Sequence, residues 1–246
     1  MQTSEYENIY KNESSHFFYV SNHNIIISLV KKYLKVPPSK AKILDAGCGT
    51  GLLAKKLGRF GKVCGIDINT EAIKYAKKRG ARVKQGSVNK LPFKKDSFNL
   101  IVSLDVLYHK QVNDAKALEE FYRVLKPGGL VIVRVPANKW LHLNHDKHVH
   151  TRQRYSTNEI KRKIINSGFE VKRISYVNMI LLPLAVIKQF AESVTPKEEI
   201  SSGVSSESKL LNDILLSLLS MESKIITYFD LPFGLGIVVV AQKPSK

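Results

Sequence analysis

Short apolar runs along this chain alternate with stretches in which apolar residues recur at helical spacing. The runs around Ile43-Leu44 and Val63-Cys64-Gly65-Ile66 are strand-like and bounded by polar or glycine residues. The pattern predicts strands near 42–46, 62–67, 81–85, 98–104 and 129–135, with helices near 51–58, 70–79 and 113–125 between them. A helix over 25–33 precedes the first strand, and Pro127-Gly128-Gly129 reads as a turn that ends a helix and launches the fifth strand. Further on, a helix over 157–167 stops at Gly168, strand six covers 170–175, and the apolar run 236–241 forms strand seven. Strands alternating with helices predict an α/β fold, with a parallel sheet covered on both faces.

About sixty residues separate strands six and seven, read from the predicted boundaries. This insert, 176–234, carries the apolar segment Met179 to Ile187, a serine-rich stretch from Thr195 to Ser208, and a second apolar segment from Leu210 to Phe229. In the last of these, Leu211, Ile214, Leu215, Leu218 and Ile225 recur at helical spacing. Neither segment reaches the roughly 20 apolar residues that cross a bilayer. Three readings stay open: a helical pair packed on the domain, a lid over an acceptor site, or a face resting on a membrane.

The chemistry is concentrated at Asp45-Ala46-Gly47-Cys48-Gly49-Thr50-Gly51, between the first strand and the helix opening at Leu52. Glycines let backbone pass close to a ligand, because no Cβ intervenes. A dinucleotide site wants G-x-G-x-x-G with a pyrophosphate on the helix N-terminus. Here Leu52 fills the third glycine's slot, and Asp45 would repel a phosphate. A carboxylate there suits a cation, such as the amino group of a methionine moiety. Asp67, at the end of the second strand, is placed to accept both hydroxyls of a ribose.

On these residues the chain resembles the class I S-adenosylmethionine-dependent methyltransferases, of the type 11 kind. The resemblance runs through ILDAGCGTG (43–51), GIDIN (65–69), QGSVNKLPFKKDSFNLIVSLDVLYH (85–109) and LKPGGLVIVRVP (125–136). It implies a Rossmann-like, seven-stranded, mostly parallel sheet, and S-adenosyl-L-methionine as cofactor. By this resemblance Asp45, Gly47 and Gly49 line the methionine end, with Cys48 in the same loop. Asp67 holds the ribose, Ile68 packs on adenine, backbone at Ser87 and Val88 faces the adenine edge, and Leu104 lies at the edge bordering the methyl. Many relatives carry Asp where this chain has Ser87.

The resemblance narrows to a bacterial and archaeal subgroup associated with polysaccharide or lipid-linked sugar pathways. Its marks are Ser15-His16-Phe17-Phe18-Tyr19, His145-Asp146 followed by His150-x-Arg152-x-Arg154-Tyr155, and Leu231-Pro232-Phe233-Gly234-Leu235. The histidine-arginine segment and the apolar insert favour a small-molecule, sugar or glycolipid acceptor, methylated at oxygen.

Composition fits one compact domain spanning 1–246, with an N-terminal helical cap over 1–40; two small domains are not excluded by length. No charged-then-apolar leader opens the chain, which makes a cytoplasmic protein the expectation, with membrane association through the insert left open. Cys48 and Cys64 lack metal-ligand spacing and read as reduced thiols. The net charge of +18 attracts polyanions. Its lysines, however, are spread in pairs such as Lys31-Lys32 and Lys77-Lys78, the pattern of a solvated surface. A nucleic-acid acceptor is therefore the alternative, disfavoured because SLDVLYH after strand four contains no N/D-P-P-Y motif. A cofactor-binding protein without activity is the second alternative, which intact Asp45, glycines and Asp67 argue against.

A hydroxyl acceptor benefits from a general base. His109, just after the fourth strand, and His150 with Arg154, after the fifth, are the candidates. His142, His145, His148 and His150 invite a metal reading, but no cysteine joins them and no metal is expected. His150, Arg152 and Arg154 suit an anionic or hydroxyl-rich acceptor. Equally, His145, Asp146 and Arg154 can brace their own loop. The aromatic cluster His16 to Tyr19 either closes over the cofactor or anchors the first helix to the sheet.

Overall fold

The computed structural model describes residues 3–141, 152–194 and 208–245. Seven strands form one sheet: β1 Lys42–Ala46, β2 Lys62–Asp67, β3 Val83–Gln85, β4 Phe98–Leu104, β5 Leu125–Pro136, β6 Glu170–Val177 and β7 Gly236–Gln242. Their spatial order is β3-β2-β1-β4-β5-β7-β6. β7 runs antiparallel to both neighbours, while the remaining pairs are parallel. β7 thus occupies the interior position that its unbroken apolar run demands.

Alternation along the strands divides the core. Leu130 and Ile132 of β5 face one side with Val238 and Val240 of β7, while Val131, Val133 and Val135 face the other with Ile237 and Val239. The first side is covered by α2 (Phe17–Tyr33) and α3 (Leu52–Leu57). The second is covered by α5 (Asp114–Val124) and α6 (Thr157–Asn166), whose Ala117, Phe121, Ile160 and Ile164 are buried. Between α3 and α5 lies α4 (Thr70–Lys78).

Helix starts are written in the sequence. Asn69 caps α4 by accepting from the Glu71 and Ala72 amides, Asn113 caps α5 through Lys116 N–H, and Ser156 caps α6 through Glu159 N–H. Each side chain satisfies amides that the helix itself leaves unpaired.

Three elements differ from the sequence expectation. A helix, α1 (Thr3–Asn12), precedes the expected N-terminal one, and α2 begins at Phe17 rather than Ile25. His16 sets that start: its ring nitrogen accepts from Phe18 N–H. Pro127-Gly128-Gly129 does not launch β5 but lies within it. The strand begins at Leu125, pairs with Phe98, and shifts register before Leu100 pairs with Leu130. Gly128, at φ +75°, allows the irregularity.

The insert supplies α7 (Leu181–Val194) and α8 (Lys209–Ile225). Leu215 and Leu219 of α8 pack with Phe17 and Leu181, and Asn212 accepts from Phe17 N–H at 2.9 Å. The insert is thereby joined to the N-terminal aromatic cluster. No helix among the described residues is long and apolar enough to cross a membrane.

Candidate cofactor and acceptor site

Strand order reverses between β1 and β4, and ligands of open α/β sheets bind at the carboxyl ends beside such a reversal. Asp45, Asp67 and Asp105 all stand at these strand ends. The glycine turn hangs from β2, since the Gly47 and Cys48 amides both donate to the Ile66 carbonyl, at 2.8 and 2.9 Å.

The glycines act differently. Gly47 has φ +83°, and a Cβ there would lie 2.2 Å from a Val106 methyl. Gly49 has φ +51°, yet a Cβ there would meet nothing within 4 Å. Its absent side chain leaves an open cradle against the main chain. Gly51 serves packing, with the Cβ of Ala76 only 2.8 Å from the position its own would take.

Asp67 is fixed from two sides: Oδ1 accepts from Asn69 N–H at 2.9 Å, and Oδ2 accepts from Gly49 N–H at 3.0 Å. Burial raises its carboxyl above the ordinary value, and these amides oppose the shift. Beyond it, Ile68 is 52% exposed, an apolar platform at the sheet edge. Val88 is buried in the core, and the Ser87 hydroxyl accepts from Asn89 N–H at 3.2 Å, folded onto its own loop. Leu104 is half-buried against the α2-side core.

Asp45 is the outlier. It is 1% exposed, and Oδ2 has no hydrogen-bond partner among the described residues. Burial, followed by the Asp67 and Glu13 carboxylates, pushes its pKa up to about 7, against a backbone hydrogen bond from Ala54. A buried, unpartnered carboxylate is costly, and a cation beside it removes that cost. The cradle at Gly49, the anchored Asp67 and the orphaned Asp45 oxygen together fit a cofactor with a cationic end and a ribose.

Residues 44–133 match the family described as "Methyltransferase domain". The chain is 37% identical over 111 residues to a tRNA (carboxymethyluridine(34)-5-O)-methyltransferase of Arabidopsis thaliana, covering 43% of this chain and 26% of that protein. It is 36% identical over 118 residues to a demethylmenaquinone methyltransferase of Chlorobaculum parvum, covering 44% of this chain and 48% of that one. The chain thus spans between a quarter and a half of these relatives. Among solved structures, a Thermotoga maritima S-adenosylmethionine-dependent methyltransferase, described as a possible histamine N-methyltransferase, superposes with a TM-score of 0.61 at 21% identity. That match covers 98% of this chain and 95% of the other. A phosphoethanolamine N-methyltransferase of Haemonchus contortus in complex with S-adenosyl-L-methionine gives 0.60 at 20% identity, over 90% and 52%. At such identities these likenesses establish the fold.

The glycine turn is also reached from the N-terminal helix by residues that no motif flagged. Glu13 is buried, accepts from the Thr50 hydroxyl of the glycine turn, and pairs with Arg79 at 2.8 Å. Tyr6 is buried beside Asp67 and Cys48, and burial, followed by those two neighbours, pushes its phenol up. The signal was the spacing of Tyr6, Ile9, Tyr10 and Glu13, one face of a helix. Burial raises the Cys48 thiol, with Asp45 and Asp67 adding to it, so the loop cysteine is a protonated packing group.

Beyond β4, Asp105 has φ +60° and pairs with Arg134 of β5, whose guanidinium lies 5.5 Å from the Phe18 ring. His109, half-buried, stacks on Tyr108 with ring centroids 4.4 Å apart. Arg152 and Tyr155 reach back to Asp114, at 3.0 and 2.8 Å, where Gln153 and Lys163 also donate. Burial alone would raise the Asp114 carboxyl, but Tyr155, Lys163 and Arg152 outweigh it and hold it below the ordinary value. Arg154 instead donates to the Ala137 carbonyl at 3.1 Å. His142, His145, Asp146, His148 and His150 lie outside the described residues. Among the described residues no cluster of metal-ligating side chains occurs. Of the aromatic cluster, His16 caps α2, Phe17 packs on the insert and Phe18 lies against Arg134 of β5, so the cluster ties α2 both to the insert and to the sheet.

Proposed function

We propose that the protein transfers the methyl group of S-adenosylmethionine to an oxygen of a small-molecule, sugar or glycolipid acceptor. The observation that carries the cofactor half is the buried Asp45 oxygen with no partner among the described residues, beside the open Gly49 backbone. Asp45 would hold the ammonium of the methionine end, Asp67 the ribose hydroxyls, and Ile68 one face of adenine. The cofactor supplies a methyl carbon already activated by its sulfonium, so the protein has chiefly to align a nucleophile and exclude water.

His109, at the carboxyl edge of β4, is the group we assign to take the proton from the acceptor hydroxyl, and the sequence pattern assigns His150 and Arg154 to holding the acceptor. His109→Asn should then lower methyl transfer by about 10²–10⁴-fold while leaving cofactor affinity unchanged. Equal activity in this variant would remove His109 from the mechanism.

The apolar insert beside the N-terminal aromatics favours an acceptor with apolar character over a nucleic acid. The +18 charge and the tRNA methyltransferase among the relatives support RNA as the second reading. Incubating the protein with methyl-labelled S-adenosylmethionine and host extract, then separating lipid, saccharide, small-molecule, protein and RNA fractions, distinguishes them. Label in the lipid, saccharide or small-molecule fraction supports the first reading, and label in RNA overturns it.

A further inference from the structure

Exposed large apolar side chains are concentrated in the insert. In α8, Leu210, Leu211, Ile214, Leu218, Met221 and Ile225 are exposed, at the i, i+4, i+7 spacing of one face. Leu215 and Leu219 on another face of the same helix are buried against α2 and α7. α8 therefore carries two apolar faces and spends only one on the fold. In α7, Leu184, Ile187 and Phe190 are exposed, and Tyr228, Phe229 and Phe233 follow α8, with Tyr228 78% exposed. Soluble monomers rarely expose so many large apolar residues in one region.

The charge around this region narrows what can cover it. Lys209 and Lys224 flank the apolar face of α8 and are exposed, as are Lys31 and Lys32 at the end of α2. Lys32 Nζ sits over the Tyr228 and Tyr33 rings, at 5.8 and 5.5 Å, and donates to the Thr227 carbonyl. Asp230 on this rim is paired with Arg173 at 2.6 Å, leaving Asp213 as the exposed acid within α8. Tyrosine and phenylalanine beside lysine, next to an apolar helix face lying along the surface, is the composition of an interfacial helix. A second copy of the chain would bring another +18 charge against the first, whereas an anionic lipid surface neutralises it.

We infer that the exposed faces of α7 and α8, with Tyr228 and Phe229, form a docking surface for an anionic membrane interface. The apolar side chains enter the acyl boundary while Lys32, Lys209 and Lys224 remain at the headgroups. This surface goes beyond the methyl-transfer reading and does not depend on it.

The test is co-flotation of the full chain with vesicles of phosphatidylcholine alone and of phosphatidylcholine containing phosphatidylglycerol, at low and high salt. The chain should float with the anionic vesicles, lose most of that binding at high salt, and stay behind with the neutral ones. The triple variant Ile214→Ser/Met221→Ser/Phe229→Ser alters exposed positions only, and should lose at least tenfold in vesicle affinity. Cofactor affinity, measured in parallel, verifies that the variant is folded. Equal flotation of variant and wild type overturns the proposal, as does failure of the wild type to float. Light scattering adds a third outcome: a dimer abolished by the triple substitution, without vesicle binding, would assign the face to a second copy instead.

Discussion

Asp45 and Asp114 are two buried carboxylates at opposite ends of the same question. Each is almost fully removed from water, at 1% and 4% exposure. Asp114 collects donors from Tyr155, Arg152, Gln153 and Lys163, and is held below the ordinary carboxylate range. Asp45 keeps an oxygen without a partner among the described residues and is pushed up to about 7. Burial therefore does not separate a brace from a binding group; satisfaction does. The saturated carboxylate ties the segment after β5 to the loop after β4, since Tyr155 and Arg152 also reach the Leu107 and Tyr108 carbonyls. The unsatisfied one is costly to the fold in isolation, a cost that a bound cation relieves.

The largest expected effect falls on the brace. Asp114→Ala leaves Tyr155 and Lys163 facing an empty position and should destabilise the fold by about 3–5 kcal/mol, read by denaturant unfolding. Cofactor affinity of the folded fraction should stay at the wild-type value; a selective loss of affinity would make Asp114 a site residue. Because its folded pKa is depressed, the stability Asp114 contributes is present above the unfolded value and lost as pH falls through the folded one.

Next in size is Asp67→Ala, which removes a charged acceptor from the ribose position. Cofactor affinity should weaken by about 1.5–3 kcal/mol, measured by calorimetry. Binding at wild-type strength would show that Asp67 only ties Gly49 to Asn69.

The smallest effect belongs to Ser87. Its hydroxyl is turned onto Asn89 N–H, so Ser87→Ala should change cofactor affinity by less than about 1 kcal/mol. A larger loss would place that hydroxyl on the adenine edge.

The same contrast explains what the sequence disclosed. β1, β2 and β4 were legible to the residue, because each is an apolar run ended by Gly, Asp or a turn, and a central strand has no other place to be. That Asp45, the glycines and Asp67 stand at the carboxyl ends of β1 and β2 was legible because each follows directly from where its apolar run ends. Glu13 and Tyr6 were not, since they reach the glycine turn through tertiary packing of α1, far away in sequence. The Asp114 brace was hidden for the same reason: its partners Arg152, Gln153 and Tyr155 lie 38 to 41 residues away. At α8 the apolar periodicity gave the helix, but a repeat serving two faces does not say which one is buried.

Asp45 is tested most directly by S-adenosylmethionine affinity together with the thermal stability of the cofactor-free protein, measured from about pH 5.5 to 7.5 for wild type and Asp45→Asn. A carboxyl whose folded pKa is raised to about 7 stabilises the protonated fold, and that contribution is lost as pH rises through 7. Wild type should therefore lose stability across the window while its affinity climbs toward about tenfold per pH unit below 7, because only the carboxylate pairs with the ammonium. Asp45→Asn should flatten both trends and bind at least tenfold more weakly at pH 7.5. An asparagine variant that binds like wild type, with wild-type affinity level across the window, would contradict the assignment of Asp45 to the cationic end of the cofactor.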